Sequence, residues 1–222
     1  MVFPDRSAAG RMLGAHLAQF ANEKPLLVLA LPRGGVPVAF EVAMALHAPL
    51  DVFLVRKLGF PGQEELAIGA IASGGARLLN AAIIRSLHLP PEQVEAVTQE
   101  ETKELERREH LYRGDRAAPD FEGHTLIIVD DGIATGSSMR VAVAALRQKN
   151  PRKLIVAIPV APFAVCKQLK HEADAVVCLS TPSDFYAVGE WYRDFSQVSD
   201  ATVRDLLDRA PNLQSTDQST LS

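Results

Sequence analysis

Cysteine is scarce: Cys166 and Cys178 are the two in 222 residues, with no CxxC pairing and no histidine at ligand spacing. That excludes a disulfide-stapled scaffold and a zinc-binding framework, and two buried, reduced thiols are the expectation. Long hydrophobic runs are missing too. The longest apolar stretch, residues 154–165, is 12 residues and contains Pro159 and Pro162, too short to span a bilayer. Residues 1–10 carry Asp5 and Arg6 and no apolar core of signal-peptide length. The expectation is a soluble, cytoplasmic protein. No excess of positive charge exists: 23 Lys+Arg stand against 27 Asp+Glu, a net charge of −4. Such a chain lacks the field of a general nucleic-acid or membrane-surface binder, so any anion it takes must be held by a local site. No internal repeat and no linker interrupts the chain.

What is present is ordinary globular material, 47% hydrophobic and 23% charged. The length allows one to two domains and burial of about 70% of the unfolded surface. The pattern alternates short apolar runs with helical periods. Residues 5–23 read as a helix capped by Asp5, with Leu13, Leu17 and Phe20 on one face. Residues 26–31 form a continuous apolar strand, 36–47 a helix, and 51–55 a second strand ending at Arg56-Lys57. This rhythm predicts a parallel sheet. Residues 58–63 read as irregular, 66–72 and 76–80 as a hairpin around Ser73-Gly74-Gly75. Residues 91–113 form a long polar helix with a thin apolar stripe (Val94, Val97, Leu105, Tyr112). It suits a solvated helix on the rim or at the subunit contact of a homodimer. Further strands are expected at 125–129, 153–160 and 175–179, and helices at 138–149, 163–172 and 200–209. Residues 211–222, rich in Ser, Thr and Gln, suit a flexible tail.

The segment 126–139, LIIVDDGIATGSSM, carries the strongest chemical signal. An apolar strand ends in Asp130-Asp131, and the small-residue loop Ala134-Thr135-Gly136-Ser137-Ser138 opens a helix. The loop can turn several backbone N–H groups toward one point, and the helix end and the hydroxyls of Thr135, Ser137 and Ser138 favour an anion, which suits a phosphate monoester. The two acids repel that phosphate; they suit hydroxyls or a metal held near them. Phosphate and diol binding at one strand end describes a ribose 5-phosphate.

The segment closely resembles the phosphoribosyl-pyrophosphate (PRPP) signature of the type I phosphoribosyltransferases. Over residues 5 to about 209 the chain is similar to a widespread bacterial group within that family, a group whose label names no substrate. The resemblance implies an α/β fold of the type I phosphoribosyltransferase class: a mostly parallel five-stranded sheet flanked by helices. It implies one domain over 1–210, with a hairpin/helix insertion at about 58–123 and a C-terminal hood at about 181–199. It also implies that Ala134–Ser138 bind the 5′-phosphate of PRPP, and that Asp130 and Asp131 orient the ribose and hold Mg²⁺. By the same resemblance Arg33, Gly34 and Gly35, after the first strand, bind pyrophosphate, with a cis peptide at Pro32–Arg33. Arg56 and Lys57, at the end of the second, join them, so that Arg33, Lys57, Asp130 and Asp131 form the catalytic set. Phe185, Tyr186, Val188, Trp191 and Asp194 resemble the hood of purine phosphoribosyltransferases, which covers the base. The fourth strand carries Pro159 and no lysine where that subfamily reads a 6-oxopurine, so hypoxanthine and guanine are expected to be poor substrates.

The implied activity is Mg-PRPP-dependent phosphoribosyl transfer to a nitrogen acceptor, nucleobase-like or a small amine, with release of pyrophosphate. Two alternatives stand beside it: a PRPP-sensing regulator with little catalysis, and a sugar-phosphate hydrolase. The latter needs a positioned general base, and the sequence shows none. The charge balance speaks against nucleic acid as a partner.

Overall fold

The structure, a computed structural model, describes residues 1–210; the expected tail at 211–222 lies outside the described residues. Helix α1 (Arg6–Leu17) starts where Asp5 accepts the Ala8 N–H at 2.7 Å. It ends sooner than expected, in a short 3₁₀ turn over Ala18–Phe20. Strand β1 (Leu26–Ala30) is buried along its whole length, and α2 (Gly35–Leu46) and β2 (Leu50–Val52) follow. Gly10 lets α1 lie on α2: a Cβ there would stand 2.6 Å from the Val38 carbonyl oxygen.

The chain then leaves this sheet. Phe53 N–H still bonds to Ala30 O at 2.9 Å, but Leu54 exchanges two bonds with Ser73, each 2.9 Å. Strands β3 (Val55–Phe60), β4 (Gln63–Ala72) and β5 (Ala76–Leu79) form a separate antiparallel sheet in that order. The hairpin is there. The stretch expected to be irregular is not irregular up to Phe60, and the strand expected at 51–55 is two strands. The RKLG sequence hides β3 because a register shift at Leu58/Gly59 breaks the two-residue alternation. Helix α3 (Ala81–Ser86) was not expected.

Helix α4 (Pro91–Arg113) has the expected bounds but is not simply solvated. Its stripe buries Val94, Leu105 and Tyr112, and Arg113 Nε meets buried Asp51 Oδ2 at 3.0 Å, fastening the helix to β2. Burial pushes the Asp51 carboxyl up, and Arg113 opposes the shift. After β6 (Thr125–Val129) come α5 (Ser137–Arg147), β7 (Lys153–Val160), α6 (Phe163–Leu169), β8 (Ala175–Ser180) and α7 (Asp200–Arg209).

The main sheet has five parallel strands in the order β2-β1-β6-β7-β8. This is the expected α/β architecture, a parallel five-stranded sheet flanked by helices. Alternate residues feed two cores. Val28, Ile127 and Ile155 pack with Leu13, Val42 and Val203 from α1, α2 and α7. Leu27, Leu29, Leu126 and Ile128 pack with Met139, Val143 and Cys166 from α5 and α6. Cys178 is only half-buried, because β8 is an edge strand. No helix among the described residues is long and apolar enough to cross a membrane.

Candidate functional site

The loops after β1 and β6 leave the sheet side by side, since those strands are hydrogen-bonded neighbours with Ala30 opposite Val129. In open α/β sheets ligands bind outside such carboxyl ends. The loop after β1 holds the cis Pro32–Arg33 peptide that the resemblance implied. Its two glycines have a purpose that motif reading did not supply. A Cβ on Gly34 would fall 2.0 Å from Asp131 Oδ2, and one on Gly35 2.8 Å from Val129 O and 3.0 Å from Asp130 Cα. Gly34-Gly35 are bare so that the two loops can touch.

The two acids sit differently. Asp131 is buried, and Arg6 Nε donates to its Oδ2 at 2.7 Å. Arg6 also donates from Nη1 to Ser196 O at 2.7 Å, and its guanidinium lies 3.9 Å from the centre of the Phe195 ring. The Tyr192 hydroxyl donates to the Asp131 carbonyl. Asp130 makes no ion pair among the described residues, although the charge of Arg6 is felt there; its Oδ1 accepts the Asp131 N–H at 2.8 Å. Burial first, and then the charge of Asp131, push the Asp130 carboxyl well above the usual carboxylate range.

Past Gly132 and Ile133 the chain becomes exposed at Ala134, Thr135, Ser137 and Ser138, while Gly136 is buried with φ 77°. That left-handed residue turns the chain into α5, and no side chain caps the helix. The Ser137 N–H reaches Thr135 Oγ1 at 3.4 Å, and a helix start of this kind suits an anion. Thr135 Oγ1 and Ser137 Oγ are 3.1 Å apart.

Arg33 is exposed, its Nη1 3.8 Å from Asp200 Oδ1 at the start of α7. Arg56 and Lys57 stand inside β3 and not at the end of a parallel strand. Arg56 is ion-paired with Glu101 on α4 and lies 3.9 Å from Glu104. Lys57 is exposed, opposite Ala70.

The hood is tied to the N-terminus. Phe3 N–H bonds to Trp191 O, Arg193 N–H to Phe3 O and Asp194 N–H to Pro4 O, at 2.8 to 2.9 Å. Val188 packs on Gly132, where a Cβ would approach it to 2.4 Å. Phe185 stacks on Trp191, centroids 6.3 Å apart and planes at 13°, and the Trp191 indole N–H is buried with no partner among the described residues. Tyr186 is 83% exposed. The Asp194 carboxylate accepts from the Ser196 hydroxyl and N–H, which hold it below its usual range.

Arg6, Tyr192, Phe195 and Asp200 belong to this neighbourhood and carry no sequence signal for it, and Tyr112 reads from sequence only as part of the apolar stripe of α4. Arg6 is 125 positions from Asp131, and no local pattern links them. Among the described residues no group of three His, Cys, Asp or Glu converges to hold a metal ion.

A family model described as a phosphoribosyl transferase domain matches residues 6–195. A protein of Mycobacterium tuberculosis strain H37Rv, provisionally named a phosphoribosyl transferase, is 47% identical over 209 residues, covering 94% of this chain and 47% of its own length. The same match is found in strain CDC 1551. The chain spans about half the length of the curated relatives it matches. The crystal structure of TT1426 from Thermus thermophilus superposes with a TM-score of 0.82 at 42% identity, covering 93% of this chain and 98% of that one.

Proposed function

Because the chain belongs to the phosphoribosyl transferase family, we propose that it transfers phosphoribose from Mg-PRPP to a nitrogen acceptor and releases diphosphate. The observation that carries this reading is the contact between the loops after β1 and β6: Gly34 against Asp131 and Gly35 against Asp130. It brings Arg33, the acid pair and the donor-rich loop to one edge of the sheet.

In this reading the 5′-phosphate sits on the N–H groups of Ala134–Ser138. Asp130 and Asp131 orient the ribose hydroxyls, and Arg33, Gly34, Gly35, Arg56 and Lys57 face the diphosphate. The C1–O bond breaks and diphosphate leaves with its electron pair. The acceptor nitrogen then bonds to C1 and loses its proton. Positive charge grows on the ribose, as in glycoside cleavage. Fixed donors at the leaving group and carboxylates near the sugar stabilise that charge separation. The donor set fits Mg²⁺ at Asp130 above all: its carboxyl is raised by burial and by Asp131, which a cation beside it would offset, while Asp131 already pairs with Arg6. Few hard oxygens suit an ion that keeps water and substrate phosphates as ligands. Asp130 and Asp131 would hold it, and it would supply positive charge beside the leaving diphosphate.

The acceptor is nucleobase-like or a small amine. Pro159 stands on β7 where a base-reading lysine would be, so weak turnover of hypoxanthine and guanine is expected. A second reading, a PRPP-sensing regulator in the cytoplasm, is favoured by the hood. Phe185 and Trp191 cover one another and Asp194 is engaged by Ser196, which leaves few groups to read a base. Diphosphate release, measured with Mg-PRPP across a set of nucleobases and amines, tests both. Turnover of one acceptor supports the enzyme. PRPP binding without turnover supports the regulator, and absence of PRPP binding by calorimetry sinks both.

A further inference from the structure

We propose that α4 and the Arg33 loop together form a diphosphate-binding subsite, in the cavity lined by Arg33, Arg107, Arg108, Tyr112 and Asp200. The inference rests on the PRPP reading for Arg33 and extends it to two arginines outside every sequence motif described above. It gives a role to a charged helix that the transfer reaction leaves unexplained.

The cavity measures about 360 Å³, within the range of about 300–1,000 Å³ for small-ligand sites. Three guanidinium groups border it, and two carboxylates answer them. Glu104 takes Arg107 at 2.7 and 3.0 Å and Arg108 at 2.7 Å, while Asp200 stays 3.8 Å from Arg33. One positive charge is left over. Glu104 is further shared with Arg56 at 3.9 Å.

The donor count points the same way. A guanidinium offers five N–H donors in a fixed fork. Arg107 uses Nε and Nη2 on Glu104, and Arg108 uses Nε. The nearest carboxylate to Arg33 is beyond hydrogen-bond distance. Most donors of three arginines, carried by two different elements, thus remain for a ligand with oxygens at both ends. A diphosphate has that shape, and arginine forks match phosphate oxygens in pairs. The Tyr112 hydroxyl donates its single O–H to Asp200 at 2.6 Å and so holds that carboxylate at the same wall. Among the described residues the Arg33 side chain has no hydrogen bond to give up in turning from Asp200 to the ligand.

The test is calorimetry on the full chain with two probes, inorganic diphosphate and ribose 5-phosphate. The variants are Arg107→Gln/Arg108→Gln, Arg107→Lys/Arg108→Lys and Arg33→Gln, each checked for folding by circular dichroism. The glutamine pair is expected to weaken diphosphate binding about tenfold or more and to leave ribose 5-phosphate unchanged. The lysine pair, with the charge but not the fork, is expected in between. Diphosphate affinity within about twofold of the parent in the glutamine pair overturns the subsite, as does a parent chain that does not bind diphosphate. Loss confined to Arg33→Gln leaves the loop reading standing and removes α4 from it. A parent that binds diphosphate but not ribose 5-phosphate sinks the PRPP reading, while the arginine variants still decide the subsite.

Discussion

The two sides of the Arg33 loop are built on opposite plans. Toward β6, Asp131 is buried and touched by Gly34, Arg6 and Tyr192, each from a different part of the chain. Toward α4, Arg33 is exposed and 3.8 Å from Asp200, and the exposed Arg107 and Arg108 share the single carboxylate of Glu104. A buried, interlocked corner holds its geometry before a ligand arrives; an open arginine cluster can change partners at little cost. In the proposed reaction the ribose lies on the fixed side and the departing diphosphate on the adjustable one. Precise placement matters at the atom where bonds change, and release of product needs weaker holding.

That contrast can be broken most severely at Arg6. Removing one partner of a buried ion pair leaves an uncompensated charge and costs about 3–5 kcal/mol. Arg6→Met is therefore expected to lose that much stability in urea unfolding. Arg6→Met/Asp131→Asn should recover most of it; no recovery would mean that Arg6 acts through the hood alone. Gly34→Ala is next. Its Cβ has no room beside Asp131 Oδ2 at 2.0 Å, and overpacking costs about 1–3 kcal/mol. The expected result is a lower urea midpoint together with weaker Mg-PRPP binding by calorimetry. Unchanged binding would detach the loop contact from the site.

On the open side the expected stability effects shrink. Arg33→Ala removes one surface ion pair, worth about 0–1 kcal/mol, so the thermal midpoint should hardly move while Mg-PRPP affinity falls. A large loss of stability would show that Arg33 belongs to the fixed side after all. The smallest effect is at Tyr112, whose phenol is pushed up to about 12 by burial and then by its bond to Asp200. A folded value above the unfolded one means a stabilising contribution that is full below about pH 10 and fades as pH rises through about 12. Phenolate absorbance should show this late titration, and Asp200→Asn should bring it down.

Legibility from sequence differed between these same regions. Asp130-Asp131 and the 134–138 loop announce themselves because their chemistry is contiguous: strand, acids, small residues and helix start follow one another. The glycines after β1 were legible as a motif, but their reason was not, since the atom they avoid belongs to Asp131. Arg56 and Lys57 were placed at a strand end because Val55 closes an apolar run. In fact the chain had already changed sheets at Phe53 and Leu54, through bonds to Ala30 and Ser73. The thin stripe of α4 looked too weak to dock a helix, because sequence cannot show that Asp51 waits on β2 for Arg113.

Local pattern alone determined the parallel sheet, the bounds of α4, β6, β7 and α7, and the loop that opens α5. Each depends on neighbours within a few residues: continuous apolar runs, the helical period, caps and glycine turns. Only the tertiary structure decided that Arg6 holds Asp131, that Phe3 anchors the hood, and that three arginines from α4 and the Arg33 loop border one cavity. Those are contacts between residues far apart in the chain. A charge or a ring leaves no mark in its own neighbourhood of the partner it will meet when the elements pack.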